Sequence, residues 1–181
     1  MLTYEEITKS EAIKTYITRA DESLGALGFT EHSFCHVMHV AETAGYILET
    51  LGFDERTVEL AKIAGYLHDI GNHDEGTGVP VNAGAAAMIL ADKADVRRTR
   101  VRNQDISTFD IHDRVNYSVK KSQLKINEDK TLVKLKLSID TKYGAVMDYF
   151  EIFMQRMLLC RKAAEKLGLQ FKLIINEQQV I

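Results

Sequence analysis

The sequence predicts a mainly α fold, a helical bundle over residues 1–104 followed by a small α+β subdomain over residues 105–181. Three observations lead there. Apolar residues recur at helical spacing between glycine stops until about residue 100. Three glycines and the only proline gather in one loop, residues 71–82. Strand-like alternation begins only beyond residue 115.

The elements follow in order. The charged N-terminus, MLTYEEITKSEAIK, is helical in character and has neither the apolar core nor the cleavage site of a signal peptide. Ser10 can cap a helix in which Ile13, Tyr16, Ile17 and Leu24 share a face, weakened at Gly25 and Gly28. Thr30 can cap a second helix that buries Val37, Val40, Ala41, Ala44 and Leu48 and stops at Gly52. Asp54 can cap a third, which turns Val58, Ala61, Ile63, Ala64 and Leu67 inward and runs to Gly71. After the loop, Asn82 can cap AGAAAMILADKADV, whose small residues suit close packing. Val115–Ile126 and Thr131–Ile139 read as an antiparallel hairpin turning at NEDK. An amphipathic helix over about Ala145–Leu167 ends at Gly168, and QFKLIIN reads as a last strand.

Composition sets limits on function. Hydrophobic residues make up 45%, charged residues 27%, and the formal net charge is −3, so the chain can bury a core but has no overall field to recruit nucleic acid. No apolar run approaches the ~18 residues that a membrane span needs. Cys35 and Cys160 lie far apart and read as two reduced thiols, which places the expected location in the cytoplasm.

The chemistry is carried by histidines and aspartates. If the second and third helices are an antiparallel pair turning at 52–54, His36 and His68 each lie about 15 residues from the turn. At ~1.5 Å per residue both are carried roughly 23 Å to the same end. Asp69 sits beside one of them. Asp92 stands amid the apolar run MILADKAD, where a carboxylate needs a compensating charge: a metal ion, or a buried salt bridge to Lys93 or an arginine. Imidazole with carboxylate suits Zn, Mn, Fe, Ni or Co, and carboxylates tolerate Mg. His39, three residues beyond His36, competes for the same role, His32 can line the mouth of the site, and His112 has no motif around it.

These residues match a known pattern. HVMHVAETA resembles the HxxxVAxxA opening of HD-superfamily proteins, GYLHDIGN their HD-I-G core motif, and ILADKADV the later helix bearing the last aspartate. The resemblance covers about residues 30–100. It implies an all-α domain, one or two divalent ions held by His36, His68, Asp69 and Asp92, and hydrolysis of phosphate esters. NHDEGTGVP further resembles the HHE-x-x-DG-x-GYP segment of the HD-GYP subgroup, with His73 on its ligand histidine and Val79 where the subgroup has tyrosine.

One departure stands out. Such relatives carry several tens of residues, including two helices, between the HD pair and this segment; here there are only residues 70–72. Those residues, IGN, complete HDIGN on one side and open IGNHDEG on the other. An internal deletion and an omitted stretch near 70–73 both fit. The omitted stretch is favoured, because deleting even one large buried side chain costs ~2–5 kcal/mol.

Beyond Asp92, KADVRRTRVRN supplies Lys93, Arg97, Arg98, Arg100 and Arg102. They read either as a solvated basic face or, with Lys93, Arg97 and Arg98 foremost, as phosphate-binding groups. The cluster is too short, and too poor in aromatics, for a nucleic-acid groove. The expected function is hydrolysis of a nucleotide or other small phosphate ester by metal-activated water. Asp69 would accept the water proton and Lys93 would stabilise developing charge. The alternatives are a non-catalytic HD module with an incomplete metal site and a diiron oxygenase. The stripe Phe150, Phe153, Met154, Met157 and Leu158 reads as core before interface, with a homodimer through it as the second reading.

Overall fold

A computed structural model describes residues 2–70 and 79–181. Five helices precede residue 95: α1 (Tyr4–Lys9), α2 (Glu11–Ala26), α3 (Phe34–Leu51), α4 (Glu55–Leu67) and α5 (Ala83–Ala94). Most begin where a short polar side chain captures an orphan helix N–H. Ser10 accepts from Ile13, Asp54 from Thr57 and Asn82 from Ala85. Thr3 and Glu6 close a reciprocal capping box on α1. For α3 the cap is Ser33, not Thr30. The backbone is not yet helical at Glu31, whose N–H donates to the Arg100 carbonyl at 2.8 Å, so the cap falls three residues later than expected.

Helices α3 and α4 form an antiparallel pair across the left-handed Gly52 (φ 85°). Gly65 of α4 lies directly on the Ala41 backbone of α3. Helix α5 packs across both and also meets a later helix over Val146–Lys166.

The second half begins with a helix where a strand was expected. Asp110 accepts from the Asp113 N–H at 2.7 Å and starts α6 (Ile111–Ser118), so β1 spans only Val119–Ile126. The cap outweighs the alternation read from Val115 onward. Strand β1 pairs antiparallel with β2 (Leu132–Ile139), as the hairpin predicted. Helix α7 (Val146–Lys166) then crosses over to β3 (Gln170–Ile175), which lies parallel to β2, and the two-residue β4 (Gln178–Gln179) completes the order β1-β2-β3-β4.

Strand period and helix period meet in one core. Val133, Leu135, Leu137 and Ile139 alternate onto the same side as Phe171, Leu173 and Ile175, and pack with Tyr149, Phe153, Met157 and Cys160 of α7. The same cluster continues without a break into Leu90 of α5 and Val40, Ala44 and Leu48 of α3. Of the α7 stripe, Phe153 and Met157 are buried and Met154 is exposed. Among the described residues, no helix is long and apolar enough to cross a membrane.

Candidate metal centre

Three elements meet below the α3–α4 pair. His36 lies in the first turn of α3, His68 caps the end of α4 with Asp69 next to it, and Asp92 stands in the last turn of α5. Because the antiparallel pair carries both histidines to one end, donor atoms of His36, His68 and Asp69 come within 4.8 Å of one another. His36 Nε2 is 3.5 Å from Asp69 Oδ2 and 3.4 Å from Asp92 Oδ1. His68 Nε2 is 3.1 Å from Asp69 Oδ1 and 3.6 Å from Asp92 Oδ1.

The opposite ring nitrogens are used differently. His68 Nδ1 meets the Gly65 carbonyl at 2.7 Å, within its own helix end. His36 Nδ1 meets Asp95 Oδ2, also at 2.7 Å, across 59 residues of chain. An ionised carboxylate only accepts, so Nδ1 carries a proton, and the neutral form of His36 presents its lone pair at Nε2. That atom is buried, has no hydrogen-bond partner among the described residues, and faces two carboxylate oxygens. A lone pair turned toward anionic oxygens in a water-excluded site is unfavourable unless a cation lies between them. The donor set therefore fits a divalent metal ion.

The charges around the cluster support this. Burial pushes Asp92 up, but the two imidazoles facing it and the nearby Lys93 charge outweigh it and hold the carboxyl well below its ordinary range. For His68, burial pushes down, while the facing Asp92 carboxylate and the charges of Asp92 and Asp69 leave it raised. His32 is pushed down to about 4 by burial and the Arg100 charge; its ring stands edge-on to His36 at 5.4 Å.

The basic residues are placed less as expected. Lys93 is buried beside the cluster with Nζ 2.7 Å from Asp92 Oδ2. Asp92 thus has the Lys93 partner foreseen for it at Oδ2, while its Oδ1 faces the two imidazoles. Arg97 turns its fork to Asp95, with Nε 2.5 Å from Oδ1 and Nη2 2.9 Å from Oδ2, which leaves Nη1 against the Cys35 sulfur at 3.5 Å. Arg98 points elsewhere. Its guanidinium lies 4.4 Å and 5.1 Å from the Tyr117 and Tyr143 ring centres, and its Nε donates to the Tyr117 carbonyl. These contacts hold it to α6 and the segment after β2. His73 and the unusual junction beyond Ile70 lie outside the described residues.

A family model described as HD domain matches residues 33–151. The chain belongs to the HD-domain family. The match begins at the Ser33 cap of α3 and runs into α7, so it takes in the helices that bear the cluster together with the β1–β2 hairpin. HD domains form a superfamily of metal-dependent phosphohydrolases, which agrees with the mixed imidazole and carboxylate donors found here. No curated protein and no solved structure matches the chain.

The most instructive omission from the sequence reading is Asp95. It is buried and touches His36, Arg97 and Arg100, yet it is screened in sequence by Asp92 three residues earlier. A signal existed in the D-x-x-D spacing at the end of an apolar helix followed by arginines, a pattern with more charge than one ligand needs.

Proposed function

We propose that this HD domain is a metal-dependent phosphohydrolase acting on a nucleotide or another small phosphate ester. The observation that carries the proposal is the convergence of His36, His68 and Asp69 donor atoms within 4.8 Å, with Asp92 facing both imidazoles. In this reading His36, His68, Asp69 and Asp92 hold one or two divalent ions, and His73 is a further candidate ligand. A bound divalent ion supplies water acidified toward neutrality and polarises a phosphoryl oxygen.

The chain's own groups do the rest. Asp69 takes the proton of the attacking water at a carboxylate oxygen while the water oxygen bonds to phosphorus and the ester P–O bond breaks. Lys93, held on Asp92, is the cation next to the cluster and offsets the negative charge that accumulates as the phosphoryl group approaches. Arg97 is the second phosphate-binding candidate through the Nη1 that its fork on Asp95 leaves over.

The test is turnover of a chromogenic phosphodiester and a nucleotide panel by Mn²⁺-loaded protein, with metal content measured by elemental analysis. Wild-type protein is expected to turn over at least one ester, and Asp69→Ala to lose ~10²-fold or more. Full metal content and full activity in Asp69→Ala would overturn the assignment. Metal-loaded wild-type protein inert across the panel would support the non-catalytic binding module instead.

A further inference from the structure

We propose that Asp95 is the positioning residue of the metal centre: it fixes the tautomer and orientation of His36, so that the two carboxylates Asp92 and Asp95 act on opposite edges of one imidazole. The proposal rests on the metal-centre reading above and deepens it.

The chain geometry explains how residues three apart reach opposite edges. Helix α5 ends at Ala94, and Asp95 leaves it at φ −82° and ψ 69°, with its N–H still bonded to the Asp92 carbonyl at 3.0 Å. Asp92 therefore projects from the last helical turn toward Nε2, while Asp95 swings off the axis and reaches Nδ1. Two arginines hold it there. Arg97 grips both carboxylate oxygens, and Arg100 Nη1 donates to the Asp95 carbonyl at 2.8 Å. Arg100 also donates from Nε to the Glu31 carbonyl at 2.9 Å and accepts the Glu31 N–H at its own carbonyl. The segment after α5 is thereby tied to the chain just before α3, and the His36–Asp95 contact sits inside that tie.

The two histidines differ in kind as a result. His68 is oriented by a neutral backbone carbonyl and His36 by a buried carboxylate. A carboxylate behind an imidazole makes its far nitrogen the more basic donor and removes the competing tautomer.

Asp95→Asn tests this with near-constant volume. The amide has one oxygen to offer, and the charged Arg97 fork competes for it more strongly than a neutral imidazole does. The amide NH₂ then faces His36 Nδ1, which must become an acceptor, so the proton moves to Nε2 and blocks it as a ligand.

Two readouts follow. In metal-free protein, ¹⁵N ring shifts are expected to show His36 as the Nδ1–H tautomer in wild type and as Nε2–H in Asp95→Asn. By calorimetric titration, Mn²⁺ affinity is expected to fall roughly 10–100-fold in Asp95→Asn. A purely structural role for Asp95 would lower the affinity without moving the His36 proton from Nδ1. An Nε2–H tautomer in wild-type protein overturns the proposal without any variant, and so does unchanged Mn²⁺ affinity in a folded Asp95→Asn. Wild-type protein that shows the Nδ1–H tautomer but binds no Mn²⁺ fails the metal-centre reading instead, and the proposal falls with it.

Discussion

Gly65 of α4 and Ala41 of α3 bring two helix backbones into contact: a Cβ at position 65 would lie 2.8 Å from the Ala41 Cα and 2.9 Å from its N. The Gly65 carbonyl also accepts from His68 Nδ1 at 2.7 Å. One glycine thus sets both the spacing of the pair and the orientation of a histidine.

Gly65→Ala is therefore expected to force α4 outward. Backbone atoms cannot rotate aside, so the cost lies toward the upper end of the ~1–3 kcal/mol typical of overpacking. At ~2–4 °C per kcal/mol for a chain of this size, thermal unfolding by circular dichroism would show it. Weakened Mn²⁺ binding is expected alongside. An unchanged melting temperature would contradict the close contact.

Metal ion should stabilise the fold by linkage. At 100 times its dissociation constant, Mn²⁺ is expected to add about 2.7 kcal/mol, and excess chelator to remove it. His68→Ala should abolish the response. A melting temperature indifferent to Mn²⁺ in wild-type protein would count against the site.

The core predicts a single transition. Leu135 on β2 is fully buried in the same cluster as Val40 of α3. Leu135→Ala is expected to cost about 2–5 kcal/mol and to shift helical and tertiary signals together. Two separated transitions would show instead that the sheet and the α3–α5 helices unfold apart.

The thiols should behave unequally. Burial pushes Cys160 up to about 12, whereas Cys35 is exposed. One thiol is expected to react with a disulfide reagent at neutral pH in native protein, none in Cys35→Ser, and both wild-type thiols in denaturant. The sign of the pH effect follows. An unfolded thiol ionises near its ordinary value of 9 while the folded one stays protonated, so this contribution to stability is lost as pH rises from about 9 toward 12.

Arg98→Ala should lower stability by about 1–2 kcal/mol through the lost stacking on Tyr117 and Tyr143, and leave Mn²⁺ affinity unchanged. Weakened ester binding at constant stability would place Arg98 among the phosphate-binding groups.

Much of this was legible in the sequence because it is local. The caps at Ser10, Asp54 and Asn82 and the stop at Gly52 announce α2 to α5 through short-range hydrogen bonds, and the turn NEDK announces the β1–β2 hairpin. The approach of His36 to His68 also follows from local geometry, since two helices of similar length folded at one turn return to the same end. What escaped depends on distant partners. Asp95 acquires its role from a helix ending one residue earlier and from a histidine 59 positions away. Arg98 looked like its neighbours Lys93 and Arg97, and only the approach of α6 and the segment after β2 supplies the rings it stacks on. The parallel pairing of β3 with β2 was equally hidden, because alternation marks a strand but not its neighbour.

That pairing bears on how the protein is made. The register joins Leu132 to Gln170 and Leu137 to Ile175, so β2 waits for a partner some forty residues downstream. Helices α2 to α4 can form as they leave the ribosome, but the apolar side of the β1–β2 hairpin stays uncovered until α7 and β3 have emerged. During that interval Val133, Leu135 and Leu137 present a sticky face beside one open strand edge, and the nascent chain is then at its most vulnerable to aggregation.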